Sequence, residues 1–245
     1  MLMGLTDPGQ KNSAQDHARR VREMFARISP RYDLLNHLLS ANIDTRWRRR
    51  VVKKLHPVLA ENARVLDVGC GTGDLSIELF EKTAARVVGV DFCRPMLKLA
   101  KQKAPRLKFI EGDALKLPFA DATFDGVTIG FALRNLSSVD QGLAELHRVL
   151  KPHGWLAILE FSQPSVPGVS QFVRFYYWRL LPWIGGWFSG SRNACEYLPD
   201  SISKFPSQEK LAGMMRAAEF ESVEFENLSG GIAALHVGRR VEHKM

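Results

Sequence analysis

The sequence predicts an α/β fold with a mostly parallel sheet of seven strands that ends in an antiparallel hairpin. From residue 63 onward, short segments rich in Val, Ile, Leu and Phe alternate with segments whose apolar residues recur at helical spacing. Such alternation produces right-handed crossovers and a parallel sheet that helices cover on both faces. The last two apolar segments follow each other without a helix, which predicts an antiparallel pair at the edge of the sheet.

Five strands are predicted before the final helix, each bounded by Gly or Asp, at residues 63–69, 85–91, 106–112, 124–130 and 154–161. The helix predicted at 138–150 begins with Ser138 and places Gln141 three residues later, a pairing typical of the capping box. A further helix follows Ser207, with apolar residues at positions i, i+3, i+4 and i+7. The closing strands are predicted at 222–228 and 232–238.

Two regions fall outside this alternation and decide the predicted domain organisation. Residues 1–57 predict a basic helical N-terminal extension, and residues 58–245 predict the α/β domain itself. The stretch 162–206 lies where a short connection would suffice, so we expect a functional insertion there. Within it, residues 172–188 hold eight aromatic residues in seventeen positions. Arg, Pro and Gly interrupt this aromatic run, so we do not expect a membrane-spanning helix.

The net charge of +8 is concentrated at the start of the chain, because residues 1–54 alone carry +7. A basic stretch of this kind fits a solvated helix face, an anionic membrane surface or nucleic acid. Nucleic acid is the least favoured of the three and we expect no such partner, because the aromatic run lacks the interleaved Lys of a stacking platform.

Cysteine and histidine usage indicates a cytoplasmic protein without a metal site. Cys70, Cys93 and Cys195 form no C-x-x-C pair, which favours reduced thiols over a disulfide framework. The seven histidines form no cluster with the spacing of metal ligands. The first twenty residues are polar and lack the apolar core of a secretion signal, so we expect the protein in the cytoplasm.

A glycine-rich turn, "VLDVGCGTGDLS", follows the first predicted strand and opens a helix. A dinucleotide-binding G-x-G-x-x-G would need glycine where Asp74 stands, and the Gly-Lys-Ser/Thr of a Walker motif is absent. An acidic residue followed by Gly69, Gly71 and Gly73 is the pattern of enzymes that use S-adenosylmethionine. The glycines allow close approach of the methionine portion, free N–H groups receive its carboxylate, and Asp67 offers a negative charge to its ammonium.

Acidic residues also end the next two strands of the predicted Rossmann-like sheet. Asp91 ends the second strand, where a carboxylate can accept both hydroxyls of a ribose. Asp113 and Ala114 follow the third strand at the same edge, where the carboxylate can accept from the adenine amino group and the Ala114 N–H can donate to a ring nitrogen. Three elements at the ends of three successive strands predict S-adenosylmethionine as the cofactor.

The segment after the fourth strand, "GFALRN", bears on the substrate. Enzymes that methylate the adenine amino group carry [DN]-P-P-[YF] at this place, and that motif is absent here. The cation of Arg134 and the amide of Asn135 suit an oxyanion better than an amine. The local sequence equally allows the two residues to cap the following helix.

Five stretches, at residues 32–47, 131–135, 148–162, 197–206 and 227–238, bear on the family. Together they resemble the ubiquinone/menaquinone biosynthesis C-methyltransferase family, and the resemblance extends over roughly residues 20–238. The resemblance implies the class I methyltransferase fold and methylation of a ring carbon of a polyprenylated benzoquinol or naphthoquinol. It leaves open which of the two rings is used, and it leaves the oligomeric state open, with a homodimer as one possibility.

Carried over to this sequence, the resemblance implies cofactor contacts at Thr72, Asp91, Asp113 and Ala114, and substrate-side roles for Arg134 and Asn135. Three positions depart from the family pattern. Asp44 stands where the family usually has His, and His153 replaces the first glycine of a K-P-G-G turn. Gly130 is a further cofactor-binding candidate, although some members have a cofactor-contacting Ser at this place.

A quinol with an isoprenoid tail resides in or on a membrane, which offers one explanation for the aromatic run. Its Trp and Tyr side chains suit the membrane–water interface, so we expect peripheral association with the inner face of the cell membrane. The run could instead line a channel for the tail or pack the insertion against the core.

The rival functions are methylation of another apolar small molecule, methylation of RNA, and a non-catalytic cofactor-binding accessory role.

Overall fold

The computed structural model describes residues 8–34, 40, 42–164 and 192–241, which form one seven-stranded sheet with its covering helices. The helices are α1 Pro8–Ile28, α2 Ile43–Leu55, α3 Asp74–Lys82, α4 Arg94–Lys103, α5 Val139–Val149, α6 Arg192–Lys204 and α7 Gln208–Ala217. The strands are β1 Arg64–Val68, β2 Arg86–Asp91, β3 Lys108–Glu111, β4 Phe124–Gly130, β5 Leu150–Phe161, β6 Phe220–Leu228 and β7 Ala233–Arg240. The aromatic run at 172–188 lies outside the described residues.

The strand order is β3-β2-β1-β4-β5-β7-β6, and this arrangement confirms the predicted α/β class. Strands β1 to β5 pair in parallel, whereas β7 pairs antiparallel with both β5 and β6. The predicted hairpin therefore exists, but its second strand is inserted into the sheet and its first strand forms the edge. The burial patterns explain this order, because β7 is buried at six successive positions while β6 has exposed residues throughout its length.

The start of α5 shows how far a local capping pattern predicts structure. The Ser138 hydroxyl accepts from the Gln141 N–H at 3.2 Å, as the capping box requires. The Gln141 side chain, however, donates to the Leu115 carbonyl instead of returning to the backbone of Ser138. Half of the predicted box forms, because a tertiary partner takes the second hydrogen bond.

Two apolar layers enclose the sheet. On one face, α5 and α7 bury Leu143, Leu146 and Met215 against the central strands. On the other face, α2 and α3 contribute buried residues that include Trp47 and Leu79. Helix α2 lies inside the predicted extension 1–57, yet it covers the sheet directly; the division at residue 57 stays a prediction.

The parallel pairing of β1 to β4 brings the segments that follow these strands to one edge of the sheet. These segments contain the glycine turn, Asp91, Asp113 and the Arg134–Asn135 pair. The topology alone therefore collects the chemically active residues that the sequence predicts at separate places along the chain.

Candidate active site

The glycine turn depends on the absence of side chains. Gly69 has φ +64°, and a Cβ at this position would lie 2.3 Å from the Cβ of Ala132 in the segment after β4. Gly73 has φ +86°, precedes α3, and would place a Cβ 3.0 Å from the Phe109 ring. Both positions need glycine for backbone conformation and for space. The turn can therefore lie directly against the segment after β4.

Asp91 joins the glycine turn to the end of β2. Its Oδ2 accepts from the Gly71 N–H and its Oδ1 from the Cys93 N–H, both at 2.8 Å. The side chain is buried, and burial raises the pKa of this carboxyl while the backbone donors oppose the rise. A carboxylate has about four acceptor positions, so Asp91 keeps capacity for two ligand hydroxyls.

Asp67 lies beneath the turn and is almost fully buried. Its two oxygens accept from the Ser76 hydroxyl at 2.6 Å and the Thr128 hydroxyl at 2.8 Å. Burial raises the pKa of Asp67 to about 6, although the two hydroxyls and the charge of Arg48 favour ionisation. With Gly69 and Thr72 nearby, Asp67 borders a small cavity of about 40 Å³ and supplies negative charge behind the turn.

Most of the predicted cofactor residues line one cavity of about 650 Å³. Of the candidates from the sequence, this cofactor cavity is bordered by Gly69, Gly71, Asp91, Asp113, Ala114, Gly130 and Asn135. The Asp113 Oδ1 accepts from the Leu115 N–H, which fixes the carboxylate at the cavity edge. The residues fit S-adenosylmethionine, since the turn admits close backbone approach and carboxylates stand at the edge of the sheet.

Thr72 and Gly130 have more specific surroundings than the sequence indicates. Thr72 is buried, and its hydroxyl donates to the Asp33 carboxylate at 2.5 Å. Lys103 bridges Asp33, at 2.9 Å, and Asp74 at the start of α3. This network ties the segment after α1 to the glycine turn.

A Cβ at Gly130 would approach Leu75 Cδ2 to 3.3 Å, so a larger residue there would require a small adjustment.

Sequence reasoning missed several residues of the cofactor cavity. They include Ala18, Arg19, Arg22 and Phe25 of α1, Tyr32 after it, Phe92 directly after β2 and Met96 of α4. Phe92 could have been suspected, because it directly follows Asp91. The residues of α1 could not have been identified from the sequence, because a basic amphipathic pattern predicts a helix but not the surface on which the helix packs.

Arg134 lies in a short 3-10 helix after β4 and is buried in an ion pair. Its side chain is 7% exposed, and Nη1 donates to Glu160 Oε1 at 2.6 Å and to the Phe131 carbonyl at 2.5 Å. The guanidinium also lies 5.3 Å from the centroid of the Phe161 ring. The sequence predicted Arg134 but not its partner Glu160, which is the last residue but one of β5 and lies 26 positions further along the chain.

Asn135 connects three parts of the structure. Its Nδ2 donates to the Phe131 carbonyl at 3.3 Å, and its Oδ1 accepts from the Tyr197 hydroxyl of α6 at 3.0 Å. The His17 Nε2 of α1 lies 3.3 Å from the Asn135 carbonyl oxygen. The side-chain amide is thus held by Phe131 of its own segment and by Tyr197 of α6, while α1 contacts the backbone of Asn135.

A second cavity of about 670 Å³ adjoins the first. Arg134 borders this second cavity, Asn135 borders the cofactor cavity, and Leu136 borders both. The second cavity is also lined by Tyr197 of α6 and His17 of α1. The short segment after β4 therefore forms the boundary between two spaces of similar size. Within the described ranges, no group of His, Cys, Asp and Glu side chains is arranged to hold a metal ion.

Comparison with known proteins gives close relatives. The model of the ubiE/COQ5 methyltransferase family matches residues 12–240. A demethylmenaquinone methyltransferase of Thermus thermophilus is 48% identical over 89% of this chain and 100% of its own length. The ubiquinone/menaquinone biosynthesis C-methyltransferase UbiE of Geotalea uraniireducens is 43% identical over 98% of this chain and 100% of its own length.

Solved structures share the fold at low sequence identity. A methyltransferase of Thermotoga maritima, described as S-adenosylmethionine-dependent, superposes with a TM-score of 0.65 at 19% identity and covers 89% of this chain and 98% of that chain. Phosphoethanolamine N-methyltransferase 2 of Haemonchus contortus, in complex with S-adenosylmethionine, gives a TM-score of 0.59 at 15% identity, covering 78% of this chain and 52% of that one.

The Asp67→Asn substitution tests the buried charge behind the turn. Ionised Asp67 favours a cationic ligand, so the affinity for S-adenosylmethionine should rise as the pH increases through about 6. The affinity of the variant should not depend on pH in this way. At pH 7.5 the variant should bind S-adenosylmethionine about 10-fold more weakly than the parent, since an interaction worth one pKa unit changes an equilibrium constant by about a factor of 10. The loss should be smaller for 5′-methylthioadenosine, which lacks the ammonium group that the charge of Asp67 favours. Calorimetric titration between pH 5.5 and 8 measures both ligands.

The folding stability of the protein without ligand should change with pH in the opposite direction, decreasing as the pH rises. A raised pKa in the folded state means that this group stabilises most below its unfolded pKa, and that the contribution is lost as the pH rises through about 6. Asp67→Asn should remove that loss. Asp125→Asn is the matched control, because Asp125 lies at the opposite end of the parallel strands, paired with Lys151. Equal pH profiles for the parent and Asp67→Asn would contradict the assignment.

Proposed function

The chain belongs to the ubiE/COQ5 methyltransferase family, and from that premise we propose its substrate and the roles of its site residues. It is an S-adenosylmethionine-dependent C-methyltransferase that acts on the ring of a polyprenylated quinol. Relatives named for demethylmenaquinone and for ubiquinone/menaquinone biosynthesis favour this substrate over the other apolar molecules that the sequence left open. The observation that supports it most directly is the position of the Arg134–Asn135 pair between the two cavities.

The reaction requires an electron-rich ring carbon, and the protein must favour the ionised quinol. A phenol has a reference pKa of about 10, so few quinol molecules are ionised in water at neutral pH. S-adenosylmethionine supplies an electrophilic methyl group on a cationic sulfonium when it is bound. The protein must therefore stabilise negative charge on the quinol oxygen and exclude water around the ring.

Arg134 is placed to stabilise the quinol oxygen from the second cavity. Its two side-chain hydrogen bonds use Nη1, so among the described residues Nη2 keeps N–H groups for a substrate oxyanion, whereas Nε is buried without a partner. Glu160 and the Phe131 carbonyl fix the plane of the guanidinium, which reduces the reorganisation needed during reaction. Arg134 is not a proton acceptor, because a guanidinium stays protonated in proteins.

Asn135 orients the quinol hydroxyl or a water that removes its proton. Tyr197 is a dependable donor to the Asn135 amide oxygen, because burial raises the pKa of the phenol, as do Glu160 and Asp200, while the charge of Arg134 opposes the rise. The fixed amide keeps its Nδ2 towards the Phe131 carbonyl. The pair thus combines charge on one side of the boundary with a directed hydrogen bond on the other.

Contact with a membrane surface follows from the nature of the substrate. Arg19, Arg20 and Arg27 of α1 are exposed and would attract anionic headgroups. None of the helices formed by the described residues combines the length and the apolar character that a bilayer crossing requires. We propose peripheral association with the inner face of the cell membrane, with the aromatic run as part of the contact. A homodimer is a separate proposal, which analytical ultracentrifugation would test.

Ionisation of the quinol makes the reaction selective for the reduced ring. Purified protein with labelled S-adenosylmethionine should transfer label to demethylated quinols only when they are reduced, because an oxidised ring has no hydroxyl to ionise. Testing a naphthoquinol and a benzoquinol together also identifies the ring that the enzyme prefers. Equal labelling of the oxidised forms would overturn the mechanism.

Removal of Arg134 should affect turnover and spare cofactor affinity. Arg134→Ala is expected to lower kcat by at least about 100-fold while the cofactor dissociation constant stays within about 2-fold. Because Arg134→Ala leaves Glu160 buried without its partner, the Arg134→Gln/Glu160→Gln double variant should be compared at matched thermal stability. Near-normal turnover in either variant would remove Arg134 from the mechanism.

The aromatic run can be tested separately from catalysis. If its tryptophans contact lipid, the Trp183→Ala/Trp187→Ala variant should sediment less with anionic lipid vesicles than the parent does. Sedimentation should also fall with increasing salt, since the basic residues of α1 contribute by charge. Unchanged sedimentation of the double variant would exclude these two residues as anchors.

A further inference from the structure

Helix α1 forms a common wall of the two cavities. Residues Ala18, Arg22 and Phe25 line the cofactor cavity, whereas His17 and Val21 line the second cavity. The two sets alternate at helical spacing, so opposite faces of one helix border the two spaces. The cofactor cavity is therefore completed by a segment far from the glycine turn in sequence.

Arg22 borders the cofactor cavity with unused hydrogen-bond capacity, as Arg20 borders the second cavity. Its guanidinium carbon lies 5.4 Å from the centroid of the Phe92 ring. In the part of the chain that the structure describes, Arg22 forms no hydrogen bond and no ion pair. Arg19 and Arg27 differ in this respect, since Arg19 lies 2.9 Å from Asp16 and Arg27 lies 3.9 Å from Glu23. Five N–H donors are thus available at the edge of the cofactor cavity.

The surroundings of Arg22 identify the part of the ligand that it would meet. Phe92 directly follows Asp91, the residue proposed to hold the ribose, and both line the cofactor cavity. The positive charge of Arg22 opposes the burial that raises the pKa of the Asp91 carboxyl, which places the guanidinium within electrostatic reach of that group. The guanidinium therefore lies over the adenosine end of the cavity, away from Asp67 and the small cavity behind the turn.

We propose that Arg22 is a cofactor-binding residue that closes the adenosine end of the cavity from α1. This inference rests on the proposed function, because it takes S-adenosylmethionine as the ligand. The planar guanidinium, held over the Phe92 ring, stacks on the purine or donates to ribose and purine acceptors. A lysine at this position would keep the charge but lose the planar stacking surface and the fixed fork of donors.

The experiment compares the dissociation constants of three ligands by calorimetry. S-adenosylmethionine, S-adenosylhomocysteine and 5′-methylthioadenosine share the adenosine portion but differ in charge and in the amino-acid portion. Arg22→Ala should weaken all three by a similar factor of about 10, a typical effect of one lost stacking or charge-assisted contact. Arg22→Lys should recover only part of that loss. This common factor differs from the charge-dependent pattern expected for Asp67→Asn.

Arg27→Ala is the matched control, because Arg27 lies on the same helix but borders the second cavity. Its cofactor dissociation constants should equal those of the parent, and circular dichroism should show equal helix content in both variants. Binding by Arg22→Ala within about 2-fold of the parent would overturn the proposal, as would equal weakening by Arg27→Ala. Full recovery by Arg22→Lys would overturn the stacking arrangement.

These measurements remain separable from the proposed function. Failure of the parent protein to methylate any reduced quinol would contradict the proposed substrate and leave the ligand-binding comparison intact. Unchanged ligand binding in Arg22→Ala, with normal quinol methylation by the parent, would contradict the role of Arg22 alone.

Discussion

The hydrogen bond from the Gly71 N–H to the Asp91 carboxylate, 2.8 Å long, joins the glycine turn to β2 within a buried and negatively charged edge of the sheet. Asp67 adds a second buried carboxylate directly behind the turn. Among the described residues, neither carboxylate is in direct contact with a cationic side chain. Hydroxyl and backbone donors offset only part of the desolvation, so the pKa of each carboxyl is raised. A positively charged ligand is therefore favoured at this edge.

The same turn also positions the residues that face the substrate. Gly69 lies so close to Ala132 that any side chain at position 69 would displace the segment after β4. That segment carries Arg134 and Asn135, which stand at the boundary of the two cavities. Because the cofactor turn and the substrate segment share a contact, a change in one alters the geometry of the other. The proximity of cofactor and substrate thus depends on the absence of a side chain at Gly69.

Two of the departures that the family resemblance implies have defined local surroundings. Asp44, found where the family usually has His, is buried and bonds to Arg48 at 2.7 Å and to the Ser40 hydroxyl at 2.6 Å. Arg48 also approaches Asp74 at the start of α3 to 3.4 Å, so this acid stabilises the cation beside the turn. His153 replaces a glycine and has φ +65°, a conformation that glycine adopts at lower cost.

The sequence by itself determined the α/β class, most strands to within a few residues, the glycine turn and the acids that follow β2 and β3. These features are local, because residue periodicity encodes burial and the ends of parallel strands share one edge. Only the tertiary structure decided that Glu160 pairs with Arg134, that Tyr197 holds Asn135, and that α1 brings Arg22 over Phe92. Each of these contacts joins side chains that are far apart along the chain. A local pattern shows that a residue is charged or buried, but the partner is selected by how the helices pack over the sheet.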